Sequence, residues 1–283
     1  MNIYDSFDHH CFATRPSISI ITATLDAGPA LRRTRDSIAE QSRHAAEWII
    51  KDGGSCDGSV DSIQAPPHTE MRIQRSLDRG IFDALNQAIH LARGDYVHVL
   101  AAGDTFAAPT ALEKIVSELQ TARLPDLLYC AARHEPSGTI WTHPPRLSRW
   151  FLFRGGICHQ AQFWSRRALI DAGGFDPAFH LAADREFLVR VCSETSLRHR
   201  RMQETLINYA GDGVSEAPWN TARLEEELSL IRQHHFGERE RRWFAFLGRA
   251  TLPRLRTQWN DRAPQSAGAL VYRAVRSWVR RYI

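Results

Sequence analysis

The sequence predicts an α/β protein with a mostly parallel sheet and helices on both faces, and three observations carry that expectation. Short apolar segments alternate with helically patterned ones three times between Ser17 and Leu100. These segments lead into small residues and carboxylates, at Asp52, Asp78 and Asp104. No glycine-rich phosphate loop stands at any of those ends.

In chain order, residues 17–24 (SISIITAT) read as the first strand, through Ile18, Ile20 and Ile21. The strand closes in Thr22, Thr24, Asp26 and Gly28, small or polar residues that let a ligand approach the backbone. Leu31 and Ile38 on a helical period predict a helix over 31–41. Residues 48–50 form the second strand, which runs into Lys51, Asp52, Gly53, Gly54 and Ser55. A short helix is expected over 59–63, and a third strand over 71–73, followed by Asp78, Arg79 and Gly80. Ile81, Leu85, Ala88, Ile89 and Ala92 recur at three- and four-residue steps and predict a helix over 81–92.

Residues 96–100 then make a buried strand that stops on Ala101, Ala102, Gly103 and Asp104. Ligands of open α/β sheets sit outside the carboxyl ends of the strands, which makes Asp104 the first candidate functional residue. The alternative is that Asp104 caps the helix expected over 109–119. Sheet-like patterning stops after Ser215, and helices are expected over 221–235 and 239–249.

Several function classes fall away on composition and motif. A dinucleotide fold needs GxGxxG after the first strand, where this chain reads TATLDAG, and the P-loop signature is absent. A net charge of +4 with a pI near 8.9 does not point to nucleic acid. With 43% hydrophobic residues in 283, one large domain, or one domain with an appendage, has ample core. No leader and no apolar run approaching the ~18–20 residues of a membrane helix stand out, so a cytosolic chain is expected. Cys11, Cys56, Cys130, Cys158 and Cys192 lie far apart without a CxxC pair, which argues against a disulfide framework or a zinc site.

Read together, ISIITATLDAG, IIKDGGSCDGS, DRGIFDALNQAIHLARGDYVHVLAAGD, GGICHQAQFWSRRAL, GGFD and LAADREFLVR resemble the family 2 glycosyltransferases. These are inverting sugar-nucleotide transferases of the GT-A fold, and the similarity is to the bacterial cell-surface polysaccharide type. It covers roughly residues 17–215. The resemblance implies a GT-A catalytic domain over 1–215, with a Rossmann-like nucleotide-binding mixed sheet, and a C-terminal helical extension over 216–283.

It also implies roles. Asp52 would accept from the imide N–H of a uracil-like base, the alternative being an Asx-turn at a Gly-Gly bend. Thr22 and Thr24 would contact ribose or base. Asp104, after Gly103, matches the last carboxylate of the family's metal-binding element and would hold Mg²⁺ or Mn²⁺ on the diphosphate. Ala102 stands where many members carry the first Asp of that element. Asp78, Arg79 and Asp83 are further donor candidates, Arg79 through the planar fork that suits phosphate. For Asp83 and Asn86 a solvent-facing place is the alternative.

Asp184 matches the family's general base, although a carboxylate opening a helix is equally a cap. His159 and Gln160, on a small-residue turn, are candidates for the acceptor. Residues 211–215 resemble a lid. The stripe of Leu270, Val271, Ala274, Val275, Trp278, Val279 and Tyr282 over 270–282, with Arg273, Arg276 and Arg280 off it, fits docking on the domain or on an inner-membrane surface.

The implied activity moves a sugar from a nucleotide donor, UDP foremost, to a glycan or lipid-linked saccharide, with no nucleic-acid partner. A catalytically silent nucleotide-sugar-binding protein is the alternative that Ala102 suggests. A nucleotidyltransferase would need a GxGxR loop that is absent. Nothing singles out the carboxylate pair of a glycosidase.

Overall fold

The structure is a computed structural model that describes residues 15–250 apart from 121–122, 195, 212 and 214–216. Four parallel strands open the sheet: β1 (Ile18–Thr24), β2 (Glu47–Asp52), β3 (Glu70–Arg75) and β4 (Tyr96–Val99). They lie in the order β3-β2-β1-β4. The chain therefore steps outward from β1 to β3 and returns to the other side of β1. That reversal places a crevice between the carboxyl ends of β1 and β4.

Side chains alternate along the buried strands, so each strand feeds two cores. Ile20, Trp48, Ile50 and Tyr96 pack with Leu31 and Ile38 of α1 (Pro29–Ala39) and with Leu112, Ile115 and Val116 of α3 (Ala111–Leu119). Ile21, Ile49 and Val97 pack with Phe82, Leu85 and Ile89 of α2 (Ile81–Leu91) and with Phe187 and Leu188 of α6 (Ala183–Glu194). Helices on both faces follow from that alternation.

The parallel expectation holds only for this half. Beyond β4 the sheet is mixed, continuing through β8 (Gln162–Ser165), β6 (Leu127–His134), β9 (His199–Tyr209) and β5 (Thr105–Phe106). β7 (Thr139–Trp141) pairs with β6 off that path. β8 runs antiparallel to both β4 and β6, whereas β6 and β9 are parallel.

The helix expected over 59–63 is instead a single turn. Asp57 Oδ1 accepts from the Ser59 N–H (2.9 Å) and hydroxyl (2.6 Å), the Ser62 N–H reaches the Gly58 carbonyl (3.1 Å), and Pro66 and Pro67 follow. One turn closed by one backbone hydrogen bond does not offset the cost of helix nucleation.

Short helices α4 (Arg149–Arg154) and α5 (Arg166–Asp171) flank β8, and α7 (Thr221–His235) and α8 (Glu238–Ala250) follow β9. Ile231, Phe236, Phe244 and Leu247 join the same core cluster as Trp150 and Phe187, so α7 and α8 close that face of the sheet. No helix among the described residues is long and apolar enough to cross a membrane. The stripe over 270–282 lies outside the described residues, as do Asp212, Val214 and Ser215 of the expected lid.

Candidate active site

The ends of β1 and β2 meet in register, Thr24 opposite Asp52. Asp52 is buried, and its Oδ1 accepts from the N–H groups of Gly54 (3.1 Å) and Ser55 (2.9 Å) and from the Ser55 hydroxyl (2.7 Å). The Asx-turn is thus present, and it occupies one oxygen only. Oδ2 accepts no hydrogen bond and has Arg75 Nε at 3.4 Å as its ionic neighbour. Burial pushes this carboxyl up, but Ser55, Gly54 and Arg75 together hold it below the usual carboxylate range. Beside it the buried Thr24 hydroxyl has no hydrogen-bond partner. An acceptor and a hydroxyl donor therefore stand side by side at adjacent strand ends.

The loops around them are laced together. Asp26, at φ 49°, accepts from the Cys56 N–H (2.7 Å), and its own N–H donates to Ser55 Oγ (2.9 Å). Asp57 Oδ2 accepts from the Gly28 N–H (2.8 Å). Two leucines break the polar rim: Leu25, 64% exposed after β1, and Leu77, 88% exposed after β3. Exposed apolar side chains in these two loops suit the faces of a planar base.

Asp104 sits between β4 and β5. The Gly103 N–H donates to Thr34 Oγ1 (2.9 Å) and to the Ala30 carbonyl (3.2 Å), so α1 fastens the turn, and Gly103 takes φ 99°. Asp104 Oδ1 accepts from the Ala210 N–H (2.8 Å) at the exit of β9. The helix-cap alternative fails, since α3 begins at Ala111 and Thr110 precedes it. No group of three or more His, Cys, Asp or Glu among the described residues is placed to hold a metal. One buried, hard carboxylate fits a Mg²⁺-type ion that takes most of its ligands from phosphate and water.

Asp184 lies in the first turn of α6, and its Oδ2 stands 4.0 Å from His159 Nδ1. Its carboxylate makes no hydrogen bond among the described residues. It caps nothing by hydrogen bonding; the segment just ahead of α6 is held from α7, where Glu227 accepts from the N–H groups of His180 (2.9 Å), Leu181 (2.8 Å) and Ala182 (2.9 Å). His159 lies on a half-buried 3-10 turn (His159–Ala161) and not on an exposed loop, and neither ring nitrogen has a hydrogen-bond partner. Burial lowers its pKa against the pull of Asp184, which favours the neutral imidazole. The thiol of Cys158 senses both Asp104 and Asp184; burial, with those charges added, pushes it up to about 12. Gln160 accepts from that thiol at 3.2 Å.

Other sequence candidates are spent elsewhere. Thr22 is fully buried, donates to the Leu100 carbonyl (2.7 Å) and accepts from Trp48 Nε1 (2.9 Å), so its one donor is committed and the side chain is closed off from the surface. Asp78 accepts from the fully buried Lys51 (2.9 Å) and from the Gly80 N–H (3.1 Å). It packs under Gly53, where a Cβ would come within 3.1 Å of Asp78 Oδ2. Asp83 accepts from the N–H of Arg79 (3.0 Å), from its guanidinium (3.2 Å) and from Gln87 (3.3 Å), which ties off the start of α2. The Arg79 side chain is 78% exposed.

Sequence reasoning missed three supports of the site. Lys51 clips β2 to the loop after β3, donating also to the Ser76 carbonyl (2.6 Å). Asn86 exchanges hydrogen bonds with the backbone of Phe175 (2.7 and 2.9 Å), whose ring leans on His159. Glu227 is the third. A lysine directly after the apolar run 48–50 was a readable signal for the first; the partners of the other two lie too far along the chain for a local one.

A family model described as Glycosyl transferase family 2 matches residues 19–173. The chain belongs to that family. It is a glycosyltransferase. A PGL/p-HBAD biosynthesis glycosyltransferase of Mycobacterium tuberculosis is 29% identical to it, over 87% of this chain and 98% of the relative. An uncharacterized glycosyltransferase of the same species is 30% identical over 65% of this chain and 72% of its own. Among solved structures, S. aureus TarS 1–349 in complex with UDP-GlcNAc superposes with a TM-score of 0.63 at 13% identity, covering 78% of this glycosyltransferase and 68% of that chain. Against the longer TarS chain the coverage is 40%. A mannosyltransferase from Pyrobaculum calidifontis, in complex with GDP-Man and Mn²⁺, gives 0.56 at 19% identity, over 75% and 61% of the two chains. The mixed sheet flanked by helices is the GT-A fold.

Proposed function

We propose that this glycosyltransferase is an inverting enzyme that moves a sugar from a UDP-sugar to a glycan or lipid-linked saccharide in cell-surface polysaccharide synthesis. In this reading residues 1–215 form the catalytic domain and 216–283 an extension that begins with α7 and α8. The observation that carries the donor assignment is the pair of open groups at the ends of β1 and β2. Asp52 Oδ2 accepts the imide N–H of uracil, and the Thr24 hydroxyl donates to a ring carbonyl. Leu25 and Leu77 supply apolar contact. A pyrimidine imide presents that alternation of donor and acceptor.

On the phosphate side, Asp104 would hold a divalent ion that offsets the charge left on the departing diphosphate. Asp184 accepts the proton of the attacking hydroxyl, and attack from the face opposite the leaving group inverts the anomeric carbon. Relatives named as glycosyltransferases over nearly their whole length favour an active enzyme over a silent binding protein.

The assignment is tested on two variants. Asp52→Ala should weaken binding of free uridine as well as UDP, by about tenfold, the worth of one charge-assisted hydrogen bond. Unchanged uridine binding in calorimetry would remove Asp52 from the base site. UDP at about a hundred times its dissociation constant should stabilise the parent protein by about 2.7 kcal/mol when Mg²⁺ or Mn²⁺ is present. Most of that stabilisation should vanish with chelator or in Asp104→Asn. Equal thermal shifts with and without metal would exclude the metal role.

A further inference from the structure

Two guanidinium groups converge one residue beyond Asp184 with no ion pair to a carboxylate among the described residues. Arg185, on α6, donates its Nη2 to the carbonyls of Leu152 (3.0 Å) and Phe153 (3.5 Å), at the end of α4. Arg232, on α7, donates its Nε to the same Phe153 carbonyl at 3.3 Å and lies over the Phe153 ring at 5.7 Å. Neither side chain forms an ion pair with a carboxylate among the described residues, and Arg185 Nε is buried without a partner. Asp184 and, from α7, Glu225 act on Arg185 only through their fields. Burial, with the repulsion of Arg232 added, brings the Arg185 pKa down to about 10.

The last carbonyls of a helix attract cations, but a six-residue helix offers a weak dipole, and one shared carbonyl satisfies geometry without cancelling two charges. The floor beside the pair is glycine. A Cβ on Gly156 would come within 3.0 Å of Arg185 Cδ and 3.8 Å of its Nη1, and one on Gly155 would touch only Phe151. The Arg185 side chain holds its place because residue 156 has none.

We propose that Arg185 and Arg232, over the Gly155–Gly156 floor, form a subsite for a phosphate group carried by the acceptor. Two planar forks and an anion with three or more oxygens match in charge and in hydrogen-bond geometry. A phosphate held here sets its sugar beside Asp184, so that one end of the acceptor is gripped while a hydroxyl faces the base. Assignment to the acceptor rests on Asp184 being the base; the binding of phosphate does not.

Glucose 1-phosphate, titrated by calorimetry into protein already saturated with UDP and Mg²⁺, tests the subsite. With the donor's diphosphate position filled, the parent protein should still bind it. Arg232→Gln should weaken that binding about ten- to a hundredfold, with UDP affinity kept. Arg185→Gln removes bonds to two carbonyls and risks the fold. Gly156→Ala is therefore the second variant, since it displaces the Arg185 side chain without changing charge, and a several-fold loss is expected. Loss of glucose 1-phosphate binding on UDP saturation would assign the arginines to the donor and overturn the proposal. So would equal binding by the parent and Arg232→Gln, or no binding by either. A last arm replaces the sugar phosphate with phosphatidylglycerol vesicles: dependence on Arg232 for vesicles but not for glucose 1-phosphate would mean a membrane surface and not an acceptor. If Asp184→Asn keeps normal transfer while the phosphate result stands, the base reading fails and the anion site survives.

Discussion

Asp184→Asn is expected to lower sugar transfer by roughly 10²–10⁴-fold, the usual worth of general acid–base catalysis. The substitution keeps the size of the side chain and removes the proton acceptor. UDP affinity should hardly move, because the proposed nucleoside-binding groups stand at the ends of β1 and β2 while Asp184 opens α6. Stability should hardly move either. A capping aspartate would cost about 1 kcal/mol on loss, but Asp184 makes no hydrogen bond to the first turn of α6, and the segment ahead of that helix is held by Glu227. The check is a transfer rate, a nucleotide affinity and a melting temperature on the same preparation. Normal transfer by a folded variant would remove Asp184 from the chemistry.

The parallel half of the sheet was legible because β1, β2 and β4 carry short apolar runs that lead into small residues and carboxylates, a pattern set by burial on both faces; β3 (EMRIQR), at the edge, shows it only in Met71 and Ile73. The mixed half was not. β9 reads HRRMQETLINY, and its charged positions escape burial through distant partners such as Glu118 and the His143 carbonyl, reached by Arg200 and Arg201. β8 is four residues long and contains a glutamine whose amide is consumed by Ile157 and Trp164.

The positions of candidate residues were legible where a strand end alone places them, as at Asp52 and Asp104. Thr22 and Thr24 show the limit of that logic. They share a face of β1, but the lower hydroxyl lies under Trp48 and the upper one does not. Only cross-strand packing distinguishes them. Asp78 and Asp83 are donor candidates in sequence and also fasten loops in the fold, through the partners Lys51, Arg79 and Gln87 that become visible only once the chain folds.

Glu227→Ala is expected to have the largest effect on stability and to damage transfer with it. In sequence the residue ends a run of three glutamates on a helix and looks solvated. In the fold it is buried while Glu225 and Glu226 are exposed. Its removal strands the N–H groups of His180, Leu181 and Ala182 and the ion-pair partner Arg223 (3.4 Å). Water entering the vacated space recovers part of the loss, which leaves a cost of about 2–4 kcal/mol for the unsatisfied donors. Glu226→Ala, one residue away, should stay within about 0.5 kcal/mol, as exposed substitutions do. The loosened segment carries Asp184 two residues past Ala182, so the transfer rate measured well below the melting temperature should fall more than UDP affinity does. Glu227→Gln, with one acceptor oxygen in place of two, should fall between Ala and the parent on both scales. Urea unfolding and transfer rates on these three variants decide the matter. A Glu227→Ala protein as stable as Glu226→Ala would show that α7 does not hold the segment ahead of Asp184 in place.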